Sequence, residues 1–229
     1  MSNKNIVYKS QQILEFFSLH RQTWDEFYPS ERWVFDKVSG TQKRLGDCLD
    51  VGCACGGLGA ALSKRFSLKS YTGIDINKDS LFWAANNQKL SIPTKFIAGD
   101  ILKQQLKKRF DTVISLSCAD WNIETKKIIN NCWSRVVPGG YFIISLRLTD
   151  KKGINDIKKS YQYINFRRKN NQCEIANYVV FNFKEALRMF SRLRPRPCLI
   201  GGYGYWGRPS PTAVTLFDKL VFAVFYIQK

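Results

Sequence analysis

The residues best equipped to hold a ligand lie in Asp47–Gly59, DCLDVGCACGGLG. Cys48-Leu49-Asp50-Val51 is short, apolar and without helical spacing, which predicts the end of a buried strand. Gly52-Cys53-Ala54-Cys55-Gly56-Gly57 is a glycine-dense turn, and Leu58 to Phe66 reads as a helix. A strand, a tight glycine turn and a helix start form the nucleotide-holding device of doubly wound sheets. Glycine is needed there because the chain turns sharply and a ligand must approach its backbone without meeting a Cβ. The dinucleotide fingerprint G-x-G-x-x-G is not met, since Ala54 stands at its second glycine.

Other side chains could carry chemistry. Asp75 ends a second apolar run, Ser70–Ile74, at the spacing where such folds hold a ribose, and a carboxylate there accepts from both hydroxyls. Asp120 follows a fourth run in Ser117-Cys118-Ala119-Asp120-Trp121-Asn122, on the carboxyl edge that faces the ligand cleft in open α/β sheets. It could act as a base, orient an acceptor, or cap the next helix. His20 is the only histidine, and the only side chain whose unperturbed pKa suits a base at neutral pH; its alternative is a structural role. Arg147 could pair bidentately with a phosphate or carboxylate, or be a surface charge. In Gly201–Pro209 glycine alternates with aromatics, so Tyr203 and Tyr205 form either a substrate wall or a glycine-relieved turn. The seven cysteines contain no C-x-x-C, and Cys53 and Cys55 sit inside the glycine turn, so no metal site is expected. Cys118 reads as an ordinary buried thiol.

These residues must be positioned by alternating strands and helices. After the first two strands, Thr94–Ile101 reads as a third ending in Gly99-Asp100, Phe110–Ser117 as a fourth, and Val136–Ile144 as a turn into a fifth. Helices are expected over Ser10–Leu19, over Thr23–Val38 with a break at Pro29, and over Leu58–Phe66, Lys78–Leu90, Ile123–Val136 and Lys184–Arg192. This alternation predicts a parallel sheet with helices on both faces. Tyr161–Phe166 and Ile175–Phe181 are β-prone and read as an added hairpin.

The D-x-G-x-A-x-G of Asp50–Gly56 resembles motif I of the class I S-adenosylmethionine-dependent methyltransferases, with alanine where the family usually has glycine. Phe110–Val113 (F-D-x-V) and Val136–Phe142 (V-x-P-G-G-x-F) are similar to the family's later motifs, so the resemblance spans roughly residues 47–148. It implies a Rossmann-like seven-stranded, mostly parallel sheet of order 3-2-1-4-5-7-6. Leu220–Gln228 is the best match for its antiparallel strand. The implied cofactor is S-adenosyl-L-methionine, with S-adenosyl-L-homocysteine as product. Contacts are implied at Asp50, Gly52, Cys53, Ala54 and Gly56, at Asp75 and Ile76 around the ribose, at Asp100 and Ile101 around the adenine, and at Ser117. Small-molecule members commonly use an N-terminal extension as a lid. Residues 1–45 are so assigned here, leaving 46–229 as the methyltransferase domain, with 150–183 its inserted hairpin.

The formal net charge of +18, from 36 Lys+Arg against 18 Asp+Glu, points to an anionic partner unless it reflects lysine-rich composition alone. The basic clusters Lys103–Arg109, Arg167–Lys169 and Arg192–Arg196 fall on different segments, without one stripe of interleaved aromatics. That favours a small anionic substrate over a nucleic acid. No run of eighteen apolar residues is present, and MSNKNIVYKSQQ lacks a signal peptide's layout, so no membrane association and a cytoplasmic location are expected. The combined expectation is methylation of an oxygen, less readily a nitrogen, on a small anionic or nucleotide- or sugar-linked metabolite. Asp120 or His20 would be its base, and Trp121, Arg147, Tyr203 and Tyr205 its acceptor site. An RNA methyltransferase and a non-catalytic cofactor-binding subunit are the alternatives.

Overall fold

The computed structural model describes residues 11–164 and 174–229. The chain opens with helix α1 (Gln11–Leu19), a single 3-10 turn at Trp24–Glu26, and helix α2 (Pro29–Ser39). Thr23–Val38 is therefore not one bent helix. Pro29 starts α2, where its missing N–H costs nothing, and the Glu31 carboxylate accepts from the Tyr28 N–H at 2.8 Å. Then follow β1 (Arg44–Val51), α3 (Gly57–Arg65), β2 (Ser67–Asp75), α4 (Lys78–Asn87), β3 (Thr94–Ala98), β4 (Phe110–Ser115), α5 (Thr125–Ser134) and β5 (Val136–Thr149). Beyond β5 come β6 (Tyr161–Tyr163), β7 (Ile175–Asn177), β8 (Phe181–Asn182), α6 (Phe183–Ser191), β9 (Leu199–Gly207), β10 (Ala213–Val214) and β11 (Leu220–Gln228). Since β1 begins at Arg44, the expected boundary at residues 45/46 falls inside a strand.

The main sheet runs β3-β2-β1-β4-β5-β11-β9, with β8 pairing the far end of β5. Strands β3 through β5 are parallel, whereas β11 is antiparallel to both β5 and β9. This is the Rossmann-like order 3-2-1-4-5-7-6, the last two strands being β11 and β9. One face is filled by α5 and α6 through Ile128, Ile129, Trp133 and Phe190. The other is covered by α2 and α3 through Val34, Phe35, Leu58 and Leu62. Burying an aliphatic or aromatic side chain contributes roughly 1.5–3 kcal/mol, so α2 is part of the core scaffold.

The added hairpin differs from expectation in extent. Tyr161–Tyr163 pairs with Ile175–Asn177, and β10 joins β6 to make a small three-stranded sheet. The chain then leaves it, and Phe181 joins the main sheet opposite Leu148. The rest of the expected first arm, like the Arg167–Lys169 cluster, lies outside the described residues. Gly201–Gly207 is a strand at the sheet edge and not a turn. Its glycines make room for side chains of β11: a Cβ on Gly201 would come within 2.4 Å of the Tyr226 ring.

Candidate active site

A cavity of about 990 Å³ opens at the carboxyl ends of the parallel strands. Its first half is the turn after β1. Gly52 has φ +82°, and a Cβ there would lie 2.5 Å from the Cys118 sulfur, so the glycine is required twice over. Ala54 also adopts positive φ, +44°, where an L-residue is strained. Its N–H donates to Asp75 Oδ2 at 2.8 Å, tying the turn to the end of β2. Asp75 Oδ1 accepts from the Asn77 N–H at 2.8 Å. Burial raises the Asp75 pKa, and these backbone donors oppose the shift. Gly56, at φ +74°, is the N-cap of α3; it turns the chain and does not line the cavity.

Asp50, 3% exposed, accepts from the Tyr71 hydroxyl at 2.6 Å. Burial pushes its pKa up to about 7 against that hydrogen bond, and the positive charge of Arg21 also opposes the shift. Asp50, Gly52, Cys53, Ala54, Asp75, Ile76, Asp100, Ile101 and Ser117 all line the cavity. Cys118 lines it as well, its thiol held in the protonated form by burial, which disfavours a nucleophilic role.

The second half is built from segments far apart in the sequence. Arg147, on β5, is 4% exposed and is not a surface charge. Its Nε donates to Asp120 Oδ2 at 2.7 Å and its Nη2 to the Asp120 carbonyl at 3.0 Å. Its guanidinium carbon lies 3.8 Å from the Tyr178 ring centroid and 4.6 Å from that of Trp121. Three polar atoms here are buried without a partner: Arg147 Nη1, Asp120 Oδ1 and Gln162 Oε1. Asp120 does not cap the next helix: it lies in a 3-10 turn, Ala119–Trp121, and α5 begins only at Thr125. Tyr205 lines this half, together with Gln162 of β6 and Ser210 and Thr212 from the loop before β10. Tyr203 does not, because α2 intervenes and its ring packs on Trp33 at 5.7 Å between centroids.

The mouth is bordered by α1 and the turn after it, through Ile13, Phe16, Phe17, His20 and Arg21. His20 is largely exposed, with Nδ1 4.0 Å from Glu26 Oε1. Arg21, passed over in the sequence, has φ +60° and donates to the buried Glu31 carboxylate at 2.9 Å. Nothing in its neighbourhood in the sequence singled it out, nor Gln162 or Tyr178. Among the described residues no His/Cys/Asp/Glu group could hold a metal ion, and no helix is long and apolar enough to cross a membrane.

Comparison with known proteins converges on one family. A malonyl-[acyl-carrier protein] O-methyltransferase from Ilyobacter polytropus is 26% identical over 136 residues, which cover 56% of this chain and 51% of that protein. A U6 snRNA methylphosphate capping enzyme from Drosophila melanogaster is 26% identical over 160 residues, covering 57% of this chain and 53% of that one. The chain thus spans about half the length of the curated relatives it matches. The solved N-methyltransferase NodS from Bradyrhizobium japonicum, in complex with S-adenosylhomocysteine, superposes with a TM-score of 0.53 at 14% identity, covering 95% of this chain and all of that one, a likeness of fold. A model of the methyltransferase domain matches residues 43–191, which include the glycine turn and both acids that follow it. With well over half its length in that match, the chain belongs to the methyltransferase domain family.

Proposed function

We propose that the chain transfers a methyl group from S-adenosylmethionine to a carboxylate oxygen of a small acid. The observation that carries the acceptor class is Arg147: a guanidinium 4% exposed, lining the cavity, with Nη1 lacking a hydrogen-bond partner. An unsatisfied buried donor costs about 1–3 kcal/mol, which an anionic oxygen arriving there relieves. The Ilyobacter relative, named for an O-methyltransferase activity, supports the same class.

The residues after β1 and β2 fit the cofactor. Gly52 to Cys55 of the turn line the cavity, and Asp75 and Asp100 offer acceptors for ribose and adenine. When bound, S-adenosylmethionine supplies an electrophilic methyl for in-line displacement. The chain's part is to align the acceptor and exclude water. A carboxylate is already an anion, so neither Asp120 nor His20 has to take a proton from it. Asp120 then holds Arg147 in place, and α1 with His20 and Arg21 acts as the lid.

The test is calorimetric titration of S-adenosylhomocysteine beside turnover on a panel of small mono- and dicarboxylates. Asp75→Ala should weaken cofactor affinity by about 1–3 kcal/mol, while Arg147→Lys should leave it unchanged and abolish carboxylate turnover. Unchanged affinity in both Asp75→Ala and Asp100→Ala would remove the cofactor reading. Turnover on neutral alcohols or amines alone would remove the acceptor class. The Drosophila relative favours a second reading, methylation of RNA, which would show as turnover on RNA and none on the panel.

A further inference from the structure

The main sheet has two edges, and they are built differently. A strand edge presents a row of unpaired backbone N–H and C=O groups, a template for another chain. Soluble proteins blunt such edges with short strands, charges, proline or bulges. At one end of the sheet β3 has five residues, carries the exposed Lys95 and follows Pro93. At the other end β9 has nine, Leu199–Gly207, with no charged residue and no proline among them. Its register against β11 is unbroken from Leu199 to Gly207, so no bulge turns it away. Among the described residues β11 is the only strand it pairs with, and no loop backbone bonds to its outer side.

The surroundings of that edge define what fits on it. Side chains alternate across a strand, so Tyr203 lies on the face of α2, against Trp33. Trp206 lies on the face of α6, against Phe183 at 6.4 Å between ring centroids. Leu199, Tyr203, Trp206 and Trp33 are all exposed. An occupant of the edge therefore meets apolar side chains on both faces, which suits uncharged β-branched residues. The ends of the strand are cationic. Arg196 precedes it and Arg208 follows it, both exposed and, among the described residues, without an ion-pair partner. A second copy of the chain does not suit these ends. Antiparallel pairing of β9 with itself sets the Arg196 end of each copy beside the Arg208 end of the other, and parallel pairing sets like ends together. Like charges facing across a strand pair destabilise it, and each copy also brings a net charge of +18.

We propose that β9 is the docking strand for an extended segment of another protein, one with an uncharged centre and an acid at each end. The segment adds to the sheet as a further strand, roughly 30 Å long if it matches the nine residues of β9. Main-chain hydrogen bonds supply the attachment, and acids on Arg196 and Arg208 set the register. Strand β9 runs parallel to β5, toward the cavity, and Gly207 and Arg208 line it. The docked segment therefore ends at the mouth and leaves the interior to cofactor and acceptor. The carboxylate chemistry proposed above does not depend on this docking, nor the docking on it.

The experiment is fluorescence anisotropy of a labelled thirteen-residue peptide, nine alternating threonines and valines with two glutamates at each end, titrated with the full chain. Saturable binding is expected, about tenfold weaker in Arg196→Glu/Arg208→Glu, and that variant should instead prefer a peptide ending in lysines. Both proteins should bind S-adenosylhomocysteine alike, which separates a lost surface from a lost fold. If the reversed charges disturb folding, Arg196→Gln/Arg208→Gln should still lose the discrimination between the two peptides. Proline at three central positions of the peptide should abolish binding, because the pairing N–H groups are removed. Amide hydrogen exchange over Leu199–Gly207 should slow when the peptide is added. No binding, equal binding of the two peptides by the parent, or binding that survives the prolines would overturn the proposal. So would exchange protection confined to other segments. Sedimentation of the free chain as a dimer with β9 already protected would overturn it as well, giving the edge to a second copy.

Discussion

Asp50 and Asp120 are both 3% exposed and both border the same cavity, yet they are buried in opposite ways. Asp50 has a neutral phenol, Tyr71, as its hydrogen-bond partner, whereas Asp120 has a guanidinium held between two rings. In the cofactor half the acids are met by backbone N–H groups and a hydroxyl, and the shape comes from the glycine turn itself. In the acceptor half the shape comes from side chains meeting side chains, and three polar atoms remain without a hydrogen-bond partner, against one, Ser80 Oγ, in the cofactor half. The contrast teaches where specificity can be stored. Backbone geometry suits a cofactor that never changes, while under the proposed function the side-chain cluster with unsatisfied groups would select the acceptor.

The largest test of that contrast is to break the ion pair. Removing one partner of a buried pair leaves an uncompensated charge, so Arg147→Met should destabilise the fold by about 3–5 kcal/mol. The double variant Asp120→Asn/Arg147→Met should recover most of that loss. Urea unfolding of the single and double variants measures both. A single variant as stable as the parent would mean that Asp120 is not held by Arg147, and the two halves would differ less than described.

How each half is built also explains what could be read beforehand. The glycine turn, Asp75, Asp100 and the strand order rest on short-range patterns: apolar runs, glycines and an acid at the end of each run. The acceptor half rests on contacts between distant segments. Arg147 meets Asp120 across 27 residues, and the small sheet brings Gln162 to Thr212 across 50. No local pattern announces such pairs. Tyr203 was misplaced because alternation in a strand gives it the same face as Tyr205, and only the seat of α2 separates packing from cavity.

Acidity offers a second test, aimed at the cofactor half. Burial raises the Asp50 pKa to about 7, above the ordinary carboxylate range. Between about pH 4 and 7 the folded chain therefore binds more protons at this site than the unfolded chain, so Asp50 makes stability fall as pH rises, with no further change above that window. Asp50→Asn should remove this component and stabilise the ligand-free protein near pH 8, by on the order of 4 kcal/mol at most. Denaturant midpoints of parent and variant at pH 5, 6, 7 and 8 check the sign. A gap that narrows with rising pH would contradict the environment described for Asp50.

The smallest expected effect concerns one methyl group. Ala54 occupies a left-handed conformation, φ +44°, which costs an L-residue roughly 1–2 kcal/mol that glycine escapes. Against this, glycine at position 54 would loosen the unfolded chain, a penalty of about 0.4–1 kcal/mol. The difference leaves Ala54→Gly about 0.5 kcal/mol more stable, near the resolution of a careful urea titration. Gly52→Ala, two residues earlier in the same turn, should be destabilising, because φ is +82° and the new Cβ would meet the Cys118 sulfur at 2.5 Å. Opposite signs at the two positions would show that the turn's backbone conformation, and not its sequence motif, shapes the cofactor half. If Ala54→Gly instead destabilised the fold, the left-handed turn at that residue would be the element to revise, and with it the hydrogen bond from its N–H to Asp75.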